Sequence, residues 1–307
     1  MASVWEAMKK KQAEQAAQDK VNVSDKATVQ DNSTVEDKEP IGVVPGPGIQ
    51  SIGTQSPGTA LPGLNVASAK AVASLTATAA ASPAPRYSEI LRPHFDRGGR
   101  IAEEYRALRT NLLAQCGGKG FCYLVTSAQA GEGKTLTVLN LALVLGECTA
   151  QNVLVIEADM RRPRIAKLLD MPVTPGLSEL LRGDATLKQV IHPTSYSNFS
   201  VLPAGRAAGD EIGELLGRPP MQALLGEARH GFDFVLIDTP PINLVSDAGS
   251  LGRFCPEALV VVRMGKTRQD EIDRALSLLR SANIKPAGMI LTGSNEPKPP
   301  YPHRYVS

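Results

Sequence analysis

Aromatic residues are scarce, 4% of 307 with a single Trp, and the basic residues are not interleaved with them. A stacking platform for single-stranded nucleic acid is therefore excluded. Charge of one sign is also lacking, since the formal net charge is only +2. That is too little to argue for a polyanion surface, and no nucleic-acid partner is expected. The four cysteines, Cys116, Cys122, Cys148 and Cys255, form no CxxC pair and have no His at metal-ligand spacing. With no signal peptide recognised, they read as reduced cytosolic thiols. Long hydrophobic runs are missing as well. Apolar segments such as 258–262 have strand length, against about 18 or more residues for a membrane-spanning helix. Membrane association is expected to be indirect or superficial.

The length suits one α/β domain with an extension, single domains commonly running to about 100–200 residues. Residues 19–85 are rich in Ala, Ser, Thr, Gly, Pro and Val and contain no aromatic residue, a composition that predicts a disordered linker. Before it, 1–18 reads as a short amphipathic helix. Val4, Trp5 and Met8 share one side, followed by Lys9, Lys10 and Lys11, as a membrane-docking or partner-docking helix would have them. A frayed terminus accounts for the same residues.

Over 86–292 apolar strands alternate with helical stretches, the pattern of repeated βαβ units and a mostly parallel sheet flanked by helices. Strands are predicted at 121–126, 152–158, 199–202, 234–237, 258–262 and 287–291. Helices are predicted at 102–113, 134–146, 176–181, 211–216, 221–228 and 269–282. The Pro-rich end, 293–307, carries Tyr301 and Tyr305 and predicts an exposed tail.

The most informative segment is Ser127-Ala128-Gln129-Ala130-Gly131-Glu132-Gly133-Lys134-Thr135, set between a predicted strand and a predicted helix. This is a phosphate-binding loop in its proper context. Gly131 and Gly133 let backbone N–H groups turn toward an anion, and the helix start presents its positive dipole end. The nucleotide-binding set is Gln129, Ala130, Gly131, Glu132, Gly133, Lys134, Thr135 and Leu136. Lys134 neutralises the phosphates, and Thr135 offers a hydroxyl to Mg²⁺. Ala128 stands where the usual motif has its first glycine.

Two further strands end in acid. One delivers Glu157-Ala158-Asp159, followed by Arg161, Arg162 and Arg164; the other delivers Asp238-Thr239-Pro240-Pro241. Ligands of doubly wound sheets bind at the carboxyl ends of strands, so Glu157, Asp159 and Asp238 are expected to converge with Thr135 on one Mg²⁺, partly through water. The arginines are free to contact phosphates or to compensate the acidic cluster.

Together these residues resemble the bacterial tyrosine kinases (BY-kinases), the autokinases of capsule and exopolysaccharide systems. The likeness rests on the phosphate loop, Glu157–Asp159, 237–241, the upstream Glu103-x-x-Arg106-x-x-Arg109, the segments 176–178 and 202–205, and the tyrosines of the tail. It implies a P-loop NTPase fold acting as an ATP-dependent protein-tyrosine kinase with Mg²⁺, in which Lys134, Asp159 and Asp238 serve catalysis. It also implies that Tyr301 and Tyr305 accept phosphate from a neighbouring subunit. Glu103, Arg106 and Arg109 hold subunits in a ring on this reading. A membrane-embedded polysaccharide chain-length (co-polymerase) protein acts as activator, a tyrosine phosphatase is the counterpart, and the location is cytoplasmic, peripheral at the inner face of the plasma membrane. Glu157 and Thr292 depart from the Asp and Asn usual there, and the tail holds fewer tyrosines than is common. Alternatives are a non-catalytic nucleotide-gated regulator and a MinD/ParA-like ATPase. The latter carries a lysine early in the loop, where this chain has Gln129.

Overall fold

The computed structural model describes residues 87–118, 120–148 and 150–293. The expected helix over 1–18, the linker over 19–85 and the tyrosines Tyr301 and Tyr305 lie outside the described residues.

In chain order the elements are α1 (Arg92–Phe95), α2 (Arg100–Gln115), β1 (Phe121–Ser127), α3 (Lys134–Gly146), β2 (Val153–Glu157), α4 (Ile165–Leu168), α5 (Leu177–Arg182), α6 (Leu187–Val190), β3 (His192–Pro193), β4 (Phe199–Leu202), α7 (Ile212–Gly217), α8 (Pro219–Gly231), β5 (Phe234–Asp238), α9 (Asp247–Gly252), β6 (Glu257–Arg263), α10 (Gln269–Ser281) and β7 (Lys285–Thr292). The strands form one seven-stranded sheet ordered β3-β4-β2-β5-β1-β6-β7. Every pairing is parallel except that of the two-residue β3 with β4.

Side-chain alternation on the strands divides the core into two layers. Leu124, Leu154, Ile156, Val235 and Ile237 face a cluster built with α5 to α10. Val125, Val153, Val155, Leu236 and Leu259 face one built with α2, α3 and α4. Burial on both faces is why the strands read as continuous apolar runs. The helix α3, KTLTVLNLALVLG, is buried from Thr137 to Gly146, and its sequence is correspondingly apolar all round.

Register aligns the carboxyl ends of the central strands. Asp238 of β5 stands opposite Val125 of β1 on one side and Glu157 of β2 on the other, and Ser127 pairs with Val261 of β6. The phosphate loop leaves β1 at this edge. Among the described residues no helix is long and apolar enough to cross a membrane.

Candidate nucleotide site

The loop from β1 to α3 turns through Gly131 (φ 80°) and Gly133 (φ 95°), left-handed conformations that a side chain disfavours. Gly133 is the N-cap of α3, so the first free N–H groups of the helix open into the loop. Ala128 has no exposure and packs in the core layer facing α5 to α10. Its methyl group has a place in the interior, which accounts for alanine at a position usually held by glycine.

Four hydrogen bonds from outside the loop fix it. Glu132, 1% exposed, accepts from the Gln129 backbone N–H at 2.9 Å and from the Thr267 hydroxyl. Gln129 Nε2 donates to Glu271 Oε1 of α10 at 2.9 Å. Arg263 donates to the Gly131 carbonyl at 3.1 Å, and the Thr292 hydroxyl to the Glu132 carbonyl at 2.7 Å. Gln129 and Glu132 thus hold the loop in shape through their side chains. Ala130 is half-buried, and Leu136 packs against the core layer behind the loop. The anchors Arg263, Thr267 and Glu271 went unmarked in the sequence because nothing in their local pattern shows that β6 and α10 return to the loop.

Lys134 is buried, and its charge acts on both Asp159 and Asp238. The Thr135 hydroxyl donates to Asp238 Oδ2 at 2.7 Å. Burial pushes the Asp238 carboxyl up to about 7, opposed by Lys134 and Thr135 and assisted by Glu157 and Asp159. Asp238 Oδ1 is buried and has no hydrogen-bond partner among the described residues. A buried carboxylate oxygen with no donor fits a cation, since an unpaired polar atom is costly inside a protein. Asp159 is raised by burial and held back by Lys134; its Oδ1 accepts from the Arg162 N–H at 3.2 Å.

Glu157 departs from the expected arrangement. Its Oε1 accepts from the N–H groups of Arg164 at 2.5 Å and Ile165 at 2.7 Å, and its Oε2 from Ala204 at 3.2 Å. Burial still leaves its carboxyl above the usual carboxylate range. The longer side chain carries the carboxylate into the start of α4 and the end of β4, where it anchors the backbone. Consistently, the described residues contain no group of three Asp, Glu, His or Cys side chains that could hold a metal ion. Both Glu157 oxygens are thus engaged with backbone N–H groups, while Asp238 and Thr135 stand bonded to each other with Asp159 nearby. This suits Mg²⁺, which keeps several waters and takes few protein ligands.

Of the arginines that follow, Arg161 forms a bidentate pair with the buried Asp247, Nε to Oδ2 at 2.7 Å and Nη2 to Oδ1 at 3.0 Å. It compensates acid rather than reaching for phosphate. Asp247 itself was not marked from sequence, because a single Asp after Ser246 resembles any helix start.

Glu103, Arg106 and Arg109 lie on α2. Arg106 grips Glu147 at the end of α3 through Nε at 2.8 Å and Nη2 at 2.6 Å, and bonds Glu103 at 2.5 Å. Arg109 donates to the Val144 carbonyl and reaches Glu147 at 3.3 Å. Both arginines are engaged within the chain; the Glu103 side chain is 63% exposed.

Comparison with known proteins agrees with this geometry. A family model described as an AAA domain matches residues 124–252. Tyrosine-protein kinase YwqD of Bacillus subtilis is 33% identical over 193 residues, 62% of this chain and 81% of that protein. Tyrosine-protein kinase etk of Escherichia coli K12 is 35% identical over 192 residues, which are 62% of this chain and only 26% of that longer protein. The solved kinase domain of Escherichia coli tyrosine kinase ETK superposes with a TM-score of 0.63 at 33% identity, covering 66% of this chain and 79% of that one. With the phosphate loop, the Thr135–Asp238 pair and four-fifths of YwqD matched, the chain belongs to the bacterial tyrosine-protein kinase family.

Proposed function

We propose that this chain is an ATP-dependent protein-tyrosine autokinase that controls exopolysaccharide or capsule polymerisation and export, phosphorylating Tyr301 and Tyr305 of a neighbouring subunit. The observation that carries the reading is the buried Asp238, bonded to Thr135 on one oxygen and unpartnered on the other among the described residues, beneath a glycine-turned loop that ends in Lys134.

Phosphoryl transfer asks mainly for positioning and charge neutralisation. The N–H groups of 129–136 cradle the phosphates, and Lys134 balances the charge that spreads over the transferred group. Thr135 and Asp238 would hold Mg²⁺, with Asp159 close enough to add its charge. When bound, Mg²⁺ would supply positive charge against the developing negative charge of the transferred group. Asp159 orients the tyrosine hydroxyl by hydrogen bonding. A carboxylate is a weak base toward a phenol of pKa about 10, so orientation matters more here than proton removal. Glu132, Gln129 and their partners keep the loop from collapsing between turnovers. The resemblance further supports a membrane-embedded chain-length protein as activator, ring-like self-association and a tyrosine phosphatase as counterpart.

The test is incubation of the full chain with Mg-ATP, with and without a candidate activator, followed by mass-spectrometric mapping of phosphotyrosine. Phosphate on Tyr301 or Tyr305 that is lost in Lys134→Ala and in Tyr301→Phe/Tyr305→Phe is expected. ATP binding without phosphotyrosine under every condition would overturn the kinase and leave a nucleotide-gated regulator.

A further inference from the structure

At the opposite end of the sheet from the phosphate loop lies a cavity of about 850 Å³, bordered by Cys116, Cys122, Arg229, Phe254, Pro256 and Glu257. The catalytic reading makes no use of it. Cys122, near the start of β1, is half-buried and faces the cavity. Cys255, in the turn leading into β6, is fully buried behind it. Their sulfurs stand 3.6 Å apart. Although the two residues are 133 positions apart, they meet because β1 and β6 are paired neighbours, Leu124 beside Ala258.

We propose that Cys122 and Cys255 form a reversible oxidation site, closing to a disulfide when a hydroperoxide enters this cavity.

Three features of the site converge on that chemistry. A disulfide needs its sulfurs at about 2.0 Å, and these two are already in contact at 3.6 Å on neighbouring strands. The Cys255 sulfur and burial push the Cys122 thiol up, opposed by Arg229, so its attack on an oxidant goes with loss of its proton, the thiolate being the reactive form of cysteine. The Cys122 sulfur holds the Cys255 thiol below its usual value, opposed by burial and assisted by Arg229, which suits Cys255 to the resolving role. Finally, the cavity gives a small oxidant a path to Cys122, while Cys255 waits out of solvent as the resolving thiol.

The steps balance. The Cys122 sulfur attacks one peroxide oxygen; an S–O bond forms, the O–O bond breaks, and the departing hydroxide takes the Cys122 proton and leaves as water. The Cys255 thiolate then attacks the sulfenic sulfur of Cys122, forming the S–S bond and expelling hydroxide. The peroxide is reduced and the two sulfurs are oxidised. A dithiol reductant reverses the exchange.

Cys116 also borders the cavity, but its sulfur is bonded to the Tyr123 hydroxyl at 3.2 Å and packs in the other core layer. It serves as an internal control. The full chain is treated with hydrogen peroxide at submillimolar concentration, quenched, and analysed by intact mass and by non-reducing peptide mapping. A loss of two hydrogens, a crosslinked peptide pair containing Cys122 and Cys255, and full return on adding dithiothreitol are expected. The crosslink should persist in Cys116→Ser and Cys148→Ser and vanish in Cys122→Ser. Cys122 is half-buried, so that variant tests the pairing even if Cys255→Ala fails to fold. Disulfides through Cys116 or Cys148 instead, stepwise addition of oxygen to single cysteines, or complete resistance to oxidation would each overturn the pairing.

Discussion

Glu157 shows how one methylene redirects a carboxylate. Its two oxygens accept three backbone N–H groups, so Glu157→Gln turns an amide NH₂ toward donors. Leaving buried donors unpaired costs about 1–3 kcal/mol, and this loss should appear as a lower denaturation midpoint. Mg-dependent nucleotide affinity, measured by calorimetry at a temperature where the variant is folded, should change little. A large loss of Mg²⁺ dependence at unchanged stability would return Glu157 to the metal.

Asp238 gives a prediction of a different kind. Its folded-state pKa, about 7, lies above the usual carboxylate value, so between those values the native protein binds more protons than the unfolded chain. Stability of the nucleotide-free and metal-free protein therefore falls as pH rises toward 7 and levels off above it. Glu157 and Asp159 are raised as well and add to the lower part of the slope. Asp238→Asn should flatten the part between about pH 5 and 7, where the raised carboxyl titrates. Denaturant midpoints across that range decide it, and an unchanged slope would mean that Asp238 is already ionised. At this scale Lys134, Thr135 and Asp238 were legible, because spacing after an apolar strand fixes where they emerge. The turned-away Glu157 and the buried Asp247 were not, since side-chain direction depends on backbone that arrives from remote segments.

The elements follow the same division. Apart from β3, the strands were legible as continuous apolar runs, α3 as a long apolar stretch after the phosphate loop and α10 by its period, and β4 and α3 match the predicted spans. The short α1, α4, α6 and α9, and the two-residue β3, carry too few residues for a period to emerge. The segments 176–178 and 202–205 meet as a pair: Leu177 and Ser178 donate to the carbonyls of Pro203 and Ala204 at 2.8 and 3.0 Å. A Cβ on Gly176 would come within 2.4 Å of the Gly205 nitrogen, a reason for glycine that only the fold reveals. On α2 the charged triplet was legible as a feature, but the bonds from Arg106 and Arg109 to the end of α3 were not. Those bonds separate two roles. Arg106→Ala should lower stability by about 0.5–1 kcal/mol, the scale of a partly exposed ion pair, and should disturb self-association too. Glu103→Ala, on an exposed side chain, should leave the denaturation midpoint within a few tenths of a kcal/mol. Loss of high-mass species in Glu103→Ala by light scattering, at unchanged stability, would assign that carboxylate to a subunit contact; identical assembly would confine the triplet to packing α2 on α3.

For the whole molecule, the sheet puts the groups proposed to handle phosphate at the carboxyl ends of its central strands, beside a loop fixed by four bonds from β6, β7, α10 and Thr267. The tyrosines proposed as acceptors follow β7 in sequence, and β7 lies two strands from β1 at one side of the sheet. Whether phosphate passes within a subunit or between subunits can be read by mixing. Lys134→Ala keeps its tyrosines but lacks the loop cation; Tyr301→Phe/Tyr305→Phe keeps the loop but lacks acceptors. Each alone should yield no phosphotyrosine at those positions. Mixed with Mg-ATP and activator, transfer between subunits predicts phosphate on the Lys134→Ala chain, distinguished by its mass, with a rate that rises with total protein concentration. Adding Glu103→Ala to both chains should suppress that signal if the exposed carboxylate brings subunits together. Phosphorylation seen only in the unmixed wild type, at a rate independent of concentration, would place donor and acceptor in one chain.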